Sequence, residues 1–175
     1  GCNVELAKRF ETTAEIKDAI SNGAVCEAKV LMCDSEHNLH VDLGIVRGII
    51  PRCEGALGID TGQVRDIALI SKVNRFVSFK IEYLQRNDNG EVVAYLSRKA
   101  AQKEAYENYV SKLTVGDIAD AVVTHLEQFG AFIDIGCGIN ALIPIDMLSV
   151  SRISHPSQRL SQGQKIRAVL RKKED

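Results

Sequence analysis

Two phenylalanines, Phe129 and Phe132, lie in the stretch FGAFIDIG (129–136). Alternation there places Ala131, Ile133 and Ile135 on one face, which must be core, so Phe132 and Asp134 point outward. An outward ring beside a second ring at the strand's start is an exposed apolar pair that needs a reason. A platform on which a flat ligand stacks is one reason; contact with a neighbouring helix or domain is another. The matching positions upstream hold His37 and His40, with Arg47 nearby. Imidazole stacks with less area, and it carries positive charge only as the pH falls. Cations collect at the other end of the chain. Between Val150 and Asp175, seven Lys/Arg, among them Arg152, Lys165 and Arg167, face two acids, a local excess of +5 on a chain of net charge −1. Phosphate neutralisation calls for such a patch, although the near-zero net charge is unusual for a strong nonspecific binder of nucleic acid.

Other chemistry is thin. The four His are His37, His40, His125 and His155. A metal site from His37, His40 and Asp42 is weak, because two histidines on one short strand make a poor ligand set; His125 and His155 read as surface residues. The five Cys include no C-x-x-C pair, which argues for free thiols rather than zinc. There is no G-x-S-x-G, no Walker loop and no G-x-G-x-x-G. Asp42 and Asp134 fall on separate strands and do not form an acid/base pair. The sequence therefore predicts no enzyme, no cofactor and no small-molecule substrate. No stretch approaches a membrane span, and the first residues lack the pattern of a secretory leader, so the expectation is a cytoplasmic protein.

The candidate residues sit in a degenerate repeat. GAVCEAKV (23–30) aligns with GDIADAVV (116–123), HNLHVDLG (37–44) with FGAFIDIG (129–136), and VRGIIP (46–51) with INALIP (139–144). Asp42 and Gly44 meet Asp134 and Gly136, at an offset of roughly 92 residues, which is domain-sized. A fourth strand follows in each copy, at 76–84 and 164–170, with Val77, Phe79 and Ile81 matching Ile166, Ala168 and Leu170 as the inward set. The first copy adds a turn at Asn87–Gly90 and a fifth strand at 91–97. Five short strands with turns between them predict a small closed barrel. Apolar spacing predicts a helix over 4–21 and a second over 100–113, whose polar face (Gln102, Lys103, Glu107) is expected to be solvated.

The second copy resembles the S-one RNA-binding domain, named after a large protein of the bacterial small ribosomal subunit. The resemblance rests on Gly116-Asp117-Ile118, Phe129 through Gly136, Leu142-Ile143-Pro144-Ile145, Arg152-Ile153, Pro156 and Gly163-Gln164-Lys165-Ile166. The first copy is similar more weakly, chiefly through Leu96-Ser97-Arg98-Lys99-Ala100. The resemblance implies a mainly β fold of two five-stranded Greek-key OB-fold barrels in tandem. The layout expected is a helical segment at 1–22, a divergent barrel at 23–98, a linker helix at 99–113, and a second barrel at 114–175 that lacks its final strand, as a fragment of a longer protein would.

It also implies that single-stranded RNA lies across one barrel face, with bases stacked on aromatics and the backbone tracked by basic groups. The RNA-binding residues expected on that basis are Phe129, Phe132, Lys165, Arg167, Arg152, His37, His40 and Arg47. The chain departs from the family where a third-strand His is common: Pro144 and Pro51 stand there. The function implied is non-catalytic binding of messenger RNA in association with the ribosome. Two alternatives stay open: the RNA-gripping part of a longer ribonuclease or other enzyme, and a ribosome- or protein-docking module with little RNA affinity.

Overall fold

A computed structural model describes residues 9–148 and 154–171. The chain divides into two compact units, Gly1–Ala105 and Tyr106–Asp175.

In the first unit, five strands close a barrel in the order β1-β2-β3-β5-β4. They are β1 (Val25–Cys33), β2 (Leu39–Asp42), β3 (Arg47–Ile50), β4 (Phe76–Arg86) and β5 (Val92–Ser97). The alternation read from the sequence fills the interior: Leu39, Val41, Ile50, Val77, Phe79, Ile81 and Leu96 are all buried. Closure depends on β3 running parallel to β5, with Gly48 opposite Ala94. A Cβ at Gly48 would stand 2.7 Å from a Leu96 methyl, so a larger residue there would make the buried Leu96 side chain shift.

Helix α1 (Thr13–Ser21) begins where Thr12 Oγ1 accepts the Glu15 N–H at 3.2 Å, a side-chain N-cap. The helix expected from residue 4 does not include 9–12. Phe10 instead bridges to Gly44: its N–H donates to the Leu43 carbonyl and its carbonyl accepts from Ile45. Phe10 is buried at this bridge, and residues 1–8 lie outside the described set. Between β3 and β4 runs a long connection that includes α2 (Ile67–Ile70).

Helix α3 (Arg98–Asn108) follows β5 directly and stops five residues short of the expected end. Its polar face is not uniformly solvated. Gln102 is buried, and its Oε1 accepts the Leu57 N–H at 2.7 Å. Arg98 donates to the Gly55 carbonyl at 2.8 Å, and Ser97 Oγ donates to Glu54 at 2.5 Å. These buried polar groups fasten the 52–60 connection, whose backbone would otherwise lack partners, to the start of the helix. Propensity and periodicity do not register such a long-range need.

The second unit repeats the first four strands as β6 (Ile118–Glu127), β7 (Gly130–Asp134), β8 (Asn140–Pro144) and β9 (Lys165–Val169). Their order, β8-β7-β6-β9, leaves four strands in a curled sheet among the described residues. Ala121, Val123 and Ile133 are buried, while Ile143, Leu160, Ile166 and Ala168 pack on them half-buried.

The repeated Asp-x-Gly has a structural cause. Asp42 Oδ1 accepts the Gly44 N–H at 2.9 Å, and Asp134 Oδ1 accepts the Gly136 N–H at 2.7 Å. Both are side-chain turns that end the second strand of their unit, with the glycine at positive φ.

Candidate nucleic-acid interface

Phe129 and Phe132 come together on the outer face of the second unit. Their rings meet edge to face at 6.0 Å between centroids, and Phe129 is 56% exposed. Gly130 between them is held by the neighbouring strand, since a Cβ there would collide with the Ile143 carbonyl. Tight β7–β8 pairing therefore fixes the backbone from which both rings project.

A third ring joins them. His125 stacks on Phe132 at 6.4 Å with planes 25° apart, and its Nε2 meets Glu127 at 2.5 Å. Period-two alternation from Ala119, Ala121 and Val123 would have turned His125 inward. The ladder slips between Val123 and His125, so Thr124 is an extra residue and His125 emerges on the Phe132 side. Across β7–β8, Leu142 pairs with Phe132 and is also exposed. Leu142, Phe132 and His125 thus form one outward row with Phe129 at its flank. Edge-to-face and offset contacts leave ring faces free for a flat base.

The expected cations sit at graded distances. Lys165 pairs with Val122, which pairs with Asp134, so it occupies the row next to Phe132 and His125. Two strands and one row separate it from Phe132, roughly 12 Å of sheet, a gap the length of a lysine side chain shortens. Arg167 lies one row farther, opposite Asp120, with an ion pair at 3.7 Å between two exposed groups. Such a pair is weak and leaves the guanidinium available. Arg152 lies outside the described residues.

The first unit places His37, His40 and Arg47 differently. His40 occupies the Phe132 position, but its side chain is only 14% exposed and its Nε2 meets Asp34 at 2.9 Å. Asp34 also accepts from the backbone of Glu36 and Asn38. The His40 hydrogen bond, followed by the Asn38 N–H, lowers the Asp34 carboxyl to about 2. His37 adopts a left-handed backbone (φ 63) and points its Nδ1 at Asp66, 3.3 Å away. Asp66 also takes Arg52 at 2.7 Å. Arg47 faces Glu91 at 3.6 Å. A charge gained on either imidazole is met first by a carboxylate of the same unit.

Comparison with known proteins agrees with the geometry. Residues 112–175 match the S1 RNA binding domain. The chain is 30% identical over 168 residues to the small ribosomal subunit protein bS1 homolog of Bacillus subtilis, covering 93% of this chain and 38% of that protein. It is 31% identical over 160 residues to small ribosomal subunit protein bS1 of Staphylococcus aureus strain COL, covering 89% of this chain and again 38% of the relative. The chain therefore spans well under half the length of these relatives. Residues 112–175, which hold the Phe129–Phe132–His125 face, are thus similar to the S1 RNA binding domain family.

Proposed function

We propose that the chain binds single-stranded RNA, messenger RNA in particular, without catalysis, as part of a cytoplasmic translation protein that works on the ribosome. The observation that carries this reading is the exposed Phe129–Phe132–His125 face on the unit that matches an RNA-binding family. Stacking on such rings tolerates any base, because every base has a π-face. Lys165 and Arg167, on the adjoining strand, would follow the phosphate backbone. The closed five-stranded barrel and the four-stranded curled sheet are read as two OB-folds in tandem, the architecture that commonly carries this chemistry. Ribosome association is inferred from the names of the relatives, both small ribosomal subunit proteins.

Fluorescence anisotropy of a short unstructured RNA, titrated with the full chain across a salt series, tests the proposal. Saturable binding that weakens steeply with salt is expected. Absence of binding at low salt would leave a protein-docking module as the better reading.

A further inference from the structure

The first unit carries an aromatic surface that its histidines do not explain. Register links one residue on each of five strands in an unbroken row. Met32 pairs with His40, His40 with Ile49, Ile49 with Tyr95, and Tyr95 with Tyr83. On β2, β3 and β5 the neighbours of these residues, Leu39, Val41, Gly48, Ile50, Ala94 and Leu96, are buried, and Met32 and Tyr83 are themselves half exposed, so the row faces outward. Tyr83 joins it only because β4 slips between Ile81 and Tyr83. That bulge keeps Ile81 and Leu84 on the core while turning the ring between them out.

Tyr83 and Tyr95 are stacked, with centroids 4.9 Å apart and planes 16° from parallel, and Tyr83 is half exposed. The exposed half of Tyr83 is the surface on which a further flat group would extend this stack. The β1–β4 ladder ends at Val25 opposite Lys80, so among the described residues no strand pairs with Tyr83 on the side away from Tyr95. Arg47 lies two residues from Ile49 on the same face of β3, a cation for the backbone of a ligand stacked there. The row also passes through His40, the repeat counterpart of Phe132. The surface is thus continuous with the first unit's version of the second unit's aromatic face.

We infer that Tyr83 and Tyr95 form a second base-stacking site for single-stranded RNA, displaced along one row of the barrel from the position that Phe132 holds in the other unit. The inference rests on the reading that the chain binds RNA. A cross-strand tyrosine pair also stabilises a sheet by itself, and the test separates the two roles.

The full chain would be titrated with fluorescein-labelled oligouridine RNA, as the parent, as Tyr83→Ala/Tyr95→Ala and as Tyr83→Phe/Tyr95→Phe. Circular dichroism would confirm the fold of each. The alanine variant is expected to bind at least about fivefold more weakly, and the phenylalanine variant to bind like the parent, because stacking does not use the hydroxyl. A folded alanine variant with parental affinity would overturn the site while leaving RNA binding through Phe129 and Phe132 intact. A parent that binds no RNA would instead sink the functional reading beneath it. If the alanine variant does not fold, photo-crosslinking of 5-iodouridine RNA to the parent decides. Adducts at Tyr83 or Tyr95 support the site, and adducts confined to the second unit refute it. The chain has no Trp and four Tyr, so quenching of tyrosine emission by oligouridine gives an independent signal that the phenylalanine variant should largely lose.

Discussion

Ile50, Val77 and Phe79 are sealed inside the first unit, whereas their repeat counterparts Ile143, Ile166 and Ala168 are only half-buried in the second. The strands that carry them have the same order, and the ladders even slip at equivalent points, after Val30 and after Val123. The difference lies in β5, which joins β3 to β4 in the first unit and has no counterpart among the described residues of the second. Burial of a residue is thus set by the closure of its sheet as much as by its own type. Substitution should expose this asymmetry. Phe79→Ala is expected to cost about 3–5 kcal/mol, as for a well-packed core ring. Ile166→Ala should cost about 1 kcal/mol, since half of its burial is missing already. Urea denaturation, followed by probes in each unit, would measure both, and equal costs would remove the distinction.

The same comparison predicts the effect of supplying a strand. A segment patterned on Val92–Ser97 and placed between β8 and β9 would pair parallel with the first and antiparallel with the second, as β5 does with β3 and β4. Burying the exposed halves of Ile143, Ile166 and Ala168 should raise the second unit's stability by roughly 2 kcal/mol. Differential scanning calorimetry of the chain with and without the fused segment reads this. An unchanged second transition would mean that the unit does not need closure.

The outer faces diverge as well. The second unit presents two phenylalanine rings that no carboxylate can tie, while the first ties His40 to Asp34 and His37 to Asp66. Phe129→Ala/Phe132→Ala should therefore lower RNA affinity at least about tenfold. His37→Ala/His40→Ala should change it less than about twofold at neutral pH, because Asp66 and Asp34 already hold these rings. Anisotropy on both folded variants sharpens the contrast, and equal losses would erase it.

How far these faces were legible from sequence follows from the strand period. Leu39, Val41, Ala131 and Ile133 alternate without interruption, and their burial, like the outward turn of Phe132, could be read directly. Asp42 and Asp134 were visible as matched positions, though not as turn caps. His125 could be read as a surface residue but not as one beside Phe132, and Tyr83 was not legible as outward. Each follows an extra residue, Thr124 or Glu82, that reverses every side chain beyond it, and nothing in the composition of those segments announces a bulge. Gln102 was misread because its partner, the Leu57 N–H, lies 45 residues away.

Lys165→Ala should have a smaller effect than loss of the Phe pair. One phosphate contact contributes about one unit of salt slope, and affinity should fall evenly across oligonucleotides of different sequence. A loss confined to one sequence would show that Lys165 reads a base and does not simply neutralise a phosphate. Arg167→Ala should lose less than Lys165→Ala, because it lies one row farther from Phe132 and His125; the reverse order would place the RNA track farther along β9.

The smallest effect concerns the turn that holds His40. Asp34 is lowered from 3.8 to about 2, first by the His40 hydrogen bond and then by the Asn38 N–H. A carboxyl depressed on folding stabilises the native state at any pH above its unfolded value, and that contribution fades as the pH falls toward the folded one. Asp34 therefore adds acid sensitivity between pH 3.8 and about 2, and none at neutral pH. Asp34→Asn should lower stability near neutrality, because the charge-assisted bond to His40 is lost. It should also flatten the dependence of the first unit's urea midpoint on pH inside that window. His40→Ala should flatten it partly, since the Asn38 and Glu36 N–H groups still hold the carboxylate. The shift should be modest, because Asp34 keeps 27% of its side chain exposed and water screens the pair. Parent and Asp34→Asn midpoints that run parallel through the window would show that the turn does not depend on the charge of Asp34.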